Sequence, residues 1–299
     1  MIRITQNRIY SYIFSGLLMT VALVALFMWG LKWGIDFTGG SLLEVEFKDN
    51  RPTLEAMHKS VGELNLGSVN IQPLGDKGAL LRLKDIDNET HTSLISKLTA
   101  AGGGEVTEKR FESIGPIIGV ELRNRSLWAI ALALFFVVTY ISWAFRKVSH
   151  PVASWKYGVA AIIALAHDII TVTGVFAILG HFFGIEVDSM FVSALLTILG
   201  FSVHDTIVVF DRIRENLFRH VSNDFTTTVN KSVNDTLARS INTSLTTILV
   251  LSSLFVFGGE TIRYFSLALL IGITIGTYSS IFVASPIVLD WHNLSLKKK

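Results

Sequence analysis

The sequence predicts a membrane protein of six transmembrane helices, all-α in the membrane, with a compact α+β domain between the first helix and the second. Three observations carry that expectation. Half of the 299 residues are hydrophobic, only 17% are charged and the mean hydropathy is +0.51, too apolar for an ordinary soluble enzyme. Four stretches, 9–31, 126–145, 240–259 and 264–289, contain no charged side chain, and each is about the 20 residues that a helix needs to cross a hydrocarbon core. The segment from about Lys32 to Arg125 instead mixes charged and apolar residues as a water-soluble fold does.

The first span, 9–31, follows Arg3 and Arg8 as a signal peptide would. Its apolar run is too long for one, and "LKWGIDFTGG" is no small-residue cleavage site, so it is expected to stay as an anchor. Residues 1–33 therefore form a cytoplasmic N-terminus and first helix, and 34–125 the inserted domain. Within that domain "SLLEVEF" alternates with period two as a half-buried strand does, and "PTLEAMHKSVGEL" sets Leu54, Met57, Val61 and Leu64 at helical spacing. "SVNIQ" and "ALLRL" read as strands around the turn "PLGDKG". "NETHTSLISKLTA" reads as a helix capped by Asn88 or Thr90 and ended by Gly102, Gly103 and Gly104, and "EVTEKRFES" as a last strand. The order βαββαβ is that of the ferredoxin-like, split βαβ arrangement. Its charged side chains, Arg82, Lys84, Asp85 and Asp87 among them, form a solvated face or a contact surface for a polypeptide or partner subunit.

Residues 126–299 supply the other five helices, at about 126–145, 157–183, 189–210, 240–259 and 264–289. The spans 157–183 and 189–210 contain isolated polar residues: His167, Asp168 and His181 in one, His204 and Asp205 in the other. Threading six spans puts Arg3, Arg8, Arg146, Lys147, Lys156, Arg212, Arg214, Arg219, Lys231, Arg239, Lys297, Lys298 and Lys299 on one side, and leaves Arg263 in the short opposite loops. By the positive-inside rule both termini are cytoplasmic and residues 34–125 lie outside the cytoplasm. Cysteine is absent, which excludes disulfides and thiolate–metal chemistry.

Ionisable groups in the membrane are costly, and so mark functional positions. Asp205 and His204 lie about five residues from the cytoplasmic end of their span, roughly 8 Å below that boundary at 1.5 Å per residue. Asp168 and His167 fall near mid-membrane. Arg239 begins the fifth span at a depth similar to that of Asp205, which makes the two natural partners. Movement of one helix would then exchange an environment that favours the carboxyl proton for one that favours its charge. The alternatives are a static clamp for Asp205 with Arg239, a snorkelling cation for Arg239 alone, a helix-packing hydrogen bond for Asp168, and a histidine lining a wet cavity for His204. Gly272 and Gly276 in "GITIG" are spaced for close helix packing. The stretch from "DRIREN" to Leu237 reads as a cytoplasmic surface helix or solvated connector. No role falls to His181.

Together, "GIDFTGG", "IGPIIGVEL", "HDTIVVFDRIREN", "SINTSLTT" and "ALLIGITIGTYSSIFVASPIVL", in that order, resemble the SecF family, membrane subunits of the bacterial protein-export machinery. The resemblance covers nearly the whole chain. It implies a half-transporter of the resistance-nodulation-division type in the cytoplasmic (inner) membrane, paired with SecD, associated with the SecYEG channel, and using the proton-motive force to draw preprotein out on the far side. Protons would be the coupling ion, with no cofactor, metal or nucleic acid, and with membrane lipid as the surroundings. The implied proton relay is Asp205, Arg239 and Asp168, joined by His204 and His167, and the family motifs fall on Asp36, Phe37, Gly39, Gly40, Gly115 and Pro116. His204 departs from the neutral amide expected there. Competing readings are half of a small-molecule or lipid exporter and a non-transporting assembly factor. An enzyme is disfavoured, since no nucleophile elbow, metal-ligand cluster or phosphate loop appears.

Overall fold

The computed structural model describes residues 4–64, 66–67, 69–144 and 152–297, so Arg3, Phe145, Arg146, Lys147, Lys298 and Lys299 lie outside the described residues. The chain divides into two compact units, residues 33–127 and the remainder.

The smaller unit opens on a single helical turn, α2 (Ile35–Thr38), and continues as β1 (Gly40–Phe47), α3 (Leu54–Gly62), β2 (Asn70–Leu74), β3 (Gly78–Leu83), α4 (Asn88–Gly102) and β4 (Val106–Ile114). The four strands form one antiparallel sheet in the order β2-β3-β1-β4, with Leu43 opposite both Leu81 and Phe111. Alternation along β1 and β3 sends Leu43, Val45, Ala79 and Leu81 to one face, where they meet Met57 and Val61 of α3 and Leu94 and Leu98 of α4, all nearly inaccessible to solvent. Thr53 caps α3. Asp87, rather than Asn88 or Thr90, caps α4, accepting from the Thr90 N–H at 2.9 Å, and Gly103 ends that helix in a left-handed conformation. Lys84, Asp85 and Asp87 are exposed as expected of a solvated face, whereas Arg82 is half-buried.

The two glycines at the start of β1, Gly39 and Gly40, explain a motif that composition does not. Gly39 has φ +73°, and a Cβ there would stand 2.6 Å from the Pro116 Cα; one on Gly119 would stand 2.7 Å from the Gly39 nitrogen. The segments "GIDFTGG" and "IGPIIG" therefore pack backbone against backbone, with Phe37 buried beside them. Gly40 has φ +126° and lies equally close to the Leu83 carbonyl.

The larger unit contains α1 (Arg8–Met28), the later part of α5 (Pro116–Ala144), α6 (Ser154–Phe183), α7 (Ser189–Phe218), α8 (Phe225–Phe257), α9 (Glu260–Ser279), a π-helical turn (Ser280–Ala284) and α10 (Ser285–Lys297). Among the described residues, six helical stretches are long and apolar enough to cross a membrane, the last drawn from α9, the π-turn and α10 together. Three expected boundaries move. Helix α5 begins at Pro116 rather than near 126, because proline suits the first helical position. Helix α7 runs on to Phe218 and α8 begins at Phe225, so "DRIREN" to Leu237 is no solvated connector. Phe225, Val229 and Val233, spaced by four, bury one face of the early α8 against Val209, Phe210 and Ile213 of α7.

Helix α9 packs against α6, α7 and α8, and α1 against α6. Small residues set the spacing: a Cβ on Gly174 of α6 would meet the Ala22 Cα of α1 at 2.4 Å, and one on Gly272 of α9 would meet Ile198 of α7 at 2.2 Å. Pro286 has no N–H and would clash in a regular helix; the π-turn just before it takes up the defect.

Candidate functional site

Helices α7 and α8 run antiparallel, and polar rungs fix their register. Arg212 pairs with Asp235 at 2.7 Å, and the Asn216 amide donates to the Ser232 hydroxyl at 2.9 Å. One rung further along, Ser240 faces Asp205 and donates to its Oδ1 at 2.6 Å. Asp205 is 8% exposed, and its Oδ2 is buried with no hydrogen-bond partner. A buried carboxylate with an unmet lone pair is unusual, because each unsatisfied polar group costs on the order of 1–3 kcal/mol.

The expected pairing of Asp205 with Arg239 is not formed. Arg239 is exposed, no ion pair within 4.0 Å joins them, and it is the next residue, Ser240, that turns inward on α8. His204 is likewise exposed, about 100° round α7 from the buried Asp205.

A second polar centre lies between α6, α7 and α9. Asp168 is 1% exposed; its Oδ1 meets His167 Nδ1 at 3.0 Å, and its Oδ2 accepts from Ser202 at 2.6 Å and Ser279 at 2.8 Å. Gly276 makes this convergence possible, since a Cβ there would stand 3.0 Å from the Ser202 Cβ and push the helices apart. The π-turn continues the polar line: the Ser280 and Thr206 hydroxyls lie 2.8 Å apart, and Ser285 donates to the Ser280 carbonyl. His167 Nε2 is buried without a partner. Ser244 and Thr277 join α8 to α9 nearby.

The structure thus separates the expected relay into two groups, Asp205 with Ser240 and Asp168 with His167, and keeps Arg239 and His204 outside both. The hydroxyl partners were not foreseen, and neither was Asp290. Asp290 accepts from Tyr12 at 2.8 Å and pairs with Arg8 at 2.8 Å, tying α10 to α1. A charged residue ending the sixth span four residues after Pro286 was the available signal. Among the described residues no group of three or more His, Asp or Glu side chains is arranged to hold a metal ion. His181 stacks on Trp29 with ring centroids 4.7 Å apart. Asp36, Phe37, Gly39, Gly40, Gly115 and Pro116 all belong to the smaller unit, where Phe37 is buried and Gly39 and Gly40 lie against neighbouring backbone, Gly39 against that of Pro116.

Comparison with known proteins places these features in a family. Residues 94–294 match the family described as "Protein export membrane protein SecD/SecF, C-terminal", and residues 24–50 match the "SecD/SecF GG Motif". The chain is 44% identical to the protein translocase subunit SecF of Thermobaculum terrenum, covering 98% of this chain and 95% of the relative. It is 39% identical to that of Anaerolinea thermophila, again over 98% of this chain and 95% of the relative. The crystal structure of SecDF from Thermus thermophilus, a translocon-associated membrane protein, superposes with a TM-score of 0.82 at 34% identity. That match covers 97% of this chain and 38% of the SecDF chain, so this chain corresponds to less than half of that protein.

Proposed function

The chain belongs to the SecD/SecF protein-export family and is similar over nearly its whole length to SecF subunits of the protein translocase, and from that premise we propose that it couples proton movement at Asp205 to late steps of preprotein translocation. The relatives' names describe transport rather than catalysis, and the role assigned here is mechanical. It works with a SecD half, as the one-chain SecDF architecture suggests, beside the SecYEG channel in a lipid bilayer, the cytoplasmic (inner) membrane. Both termini lie in the cytoplasm, and the sheet domain, which we read as ferredoxin-like from its βαββαβ order and β2-β3-β1-β4 sheet, lies outside and meets the emerging chain.

One observation carries the reading: the buried, unpartnered Oδ2 of Asp205. A static clamp would satisfy both oxygens, whereas a group that gains and loses a proton needs an open position. With the proton on Oδ2, the Ser240 contact at Oδ1 persists and no charge is buried. With the proton gone, the carboxylate attracts the guanidinium of Arg239, one residue from its present partner, and α8 rotates toward α7. One proton crossing 100 mV supplies about 2.3 kcal/mol. That biases a two-state element roughly fifty-fold, since 1.4 kcal/mol is a factor of ten.

The test is export of a reporter preprotein in cells and inverted vesicles with wild type, Asp205→Asn or Arg239→Met, with and without an uncoupler, while monitoring assembly with SecD. Variants that assemble and lose the uncoupler-sensitive part of export support the proposal. Normal uncoupler-sensitive export by both would reduce Asp205 to a packing device and the chain to a scaffold.

A further inference from the structure

The segment leaving α1 is fastened to the corner between α6 and α7 by contacts that neither polar centre uses. The Val187 N–H donates to the Lys32 carbonyl at 2.8 Å. The Lys32 ammonium donates to the Gly184 carbonyl at 3.3 Å and lies 3.6 Å from the Glu186 carboxylate. Val187 is 1% exposed, so water does not compete for its bond. Three residues before Lys32, the Trp29 ring stacks on His181 of α6 and meets Phe182 edge-on, with centroids 5.4 Å apart. Gly180 permits this close approach, since a Cβ there would stand 3.2 Å from the Lys32 Cβ and 3.1 Å from the Ile185 carbonyl oxygen.

Both partners of this fastening lead elsewhere in the chain. Asp188, the residue after Val187, caps α7 by accepting from the Phe191 N–H at 2.8 Å. From that cap α7 runs as one helix without proline past Asp205 to Phe218, and the distance from Asp188 to Asp205 is about 25 Å at 1.5 Å per residue. Lys32, for its part, is followed by Trp33, the first residue of the smaller unit. The geometry points to a mechanical joint: the Lys32–Val187 fastening delivers displacement of α7 to the segment that enters the sheet domain. The inference rests on the proton-coupled reading above, which supplies the displacement. Coupling over such a distance is carried by rigid elements joined through hydrogen bonds and ion pairs, and a slack linker at Lys32 would absorb the movement that a bonded one passes on. Position separates a joint from a plain clasp. A clasp would hold α1 to the bundle equally well at any turn, whereas this one engages the last residue before the smaller unit and the last residue before the cap of α7.

Val187→Pro removes the N–H that holds Lys32, and Lys32→Met combined with Glu186→Gln removes the charged contacts. The chain has no cysteine, so Lys59→Cys, exposed on α3, and Gly259→Cys, exposed before α9, accept spin labels selectively. In vesicles holding the complex with a cysteine-free SecD partner, the label separation is measured with and without an imposed proton gradient. The infrared carboxyl band of Asp205 and uncoupler-sensitive export are read for the same variants. The joint predicts a separation that changes with the gradient in wild type. In Val187→Pro and in the Lys32→Met, Glu186→Gln variant that change is lost together with uncoupler-sensitive export, while the Asp205 band persists. If Val187→Pro does not assemble, the charged-contact variant decides alone. Variants that keep both the change and the export overturn the joint, and so do variants that lose the Asp205 band along with export, which marks a clasp. A wild-type separation that ignores the gradient overturns the joint and leaves the Asp205 reading standing; a wild type without the Asp205 band overturns that reading, and the joint with it.

Discussion

Gly272→Ala adds one methyl group at the tightest contact between α9 and α7. The new Cβ would stand 2.2, 2.3 and 2.9 Å from Cδ1, Cγ1 and Cγ2 of Ile198, a side chain only 1% exposed. Carbon atoms settle at about 3.5–4.0 Å, so the helices must part by about 1 Å or more. Isoleucine in a helix is held to one χ1 well and cannot swing clear. Overpacking of this kind costs about 1–3 kcal/mol, and the absence of an escape for Ile198 puts the cost at about 2–3 kcal/mol. At about 2–4 °C per kcal/mol for a chain of this order, apparent Tm by scanning fluorimetry of the purified protein should fall by about 5–10 °C. Ile198→Ala removes all three clashing atoms and should couple favourably with Gly272→Ala by about 1–2 kcal/mol in a double-mutant cycle. Ile198→Val keeps both Cγ atoms and should not rescue. Gly200→Ala is the control, since nothing lies within 4 Å of its Cβ position. A Gly272→Ala protein that melts with wild type would refute the argument that this glycine sets the spacing of α7 and α9.

Two further outcomes follow from the geometry. Gly39→Ala meets both a positive φ of +73° and the Pro116 backbone at 2.6 Å; a cost of about 3 kcal/mol is expected from strain plus overpacking, read as new cleavage sites between residues 33 and 127 in limited proteolysis of the full protein. Asp224 caps α8, and hydrogen bonds led by that from Thr227 hold its carboxyl below the ordinary carboxylate value. A group depressed in the folded state stabilises above its unfolded value and loses that contribution as pH falls through its folded value. Asp224→Ala should therefore cost about 1 kcal/mol at neutral pH, and chemical denaturation should show the gap from wild type closing below about pH 4.

Much of the architecture was legible because it follows from period and length. Charge-free runs located the spans, and alternation in "SLLEVEF" against four-residue spacing of Met57 and Val61 separated strand from helix. The α7–α8 hairpin was misread because Arg212, Arg214 and Asp235 suggested solvent, while the inward face of Phe225, Val229 and Val233 carried the packing. At the candidate site the carboxylates stood out, since charge inside an apolar run is rare. Their partners did not: whether Arg239 or Ser240 faces Asp205 is a matter of about 100° of helix rotation, which one sequence does not specify. Ser202 and Ser279 were invisible for the same reason, being common residues made special by the approach of Gly276. The glycine pair at 39 and 40 was recognisable as a motif, but its cause, contact with a backbone some 75 residues away, appears only in the fold.

The central claim is that Asp205 itself exchanges a proton. The most direct measurement is the carboxyl C=O absorption in infrared difference spectra of the membrane-embedded complex as pH is lowered, for wild type, Asp205→Asn and Arg239→Met. The account predicts a protonated-carboxyl band in wild type that vanishes in Asp205→Asn and persists with a displaced midpoint in Arg239→Met. Identical difference spectra for wild type and Asp205→Asn would contradict it.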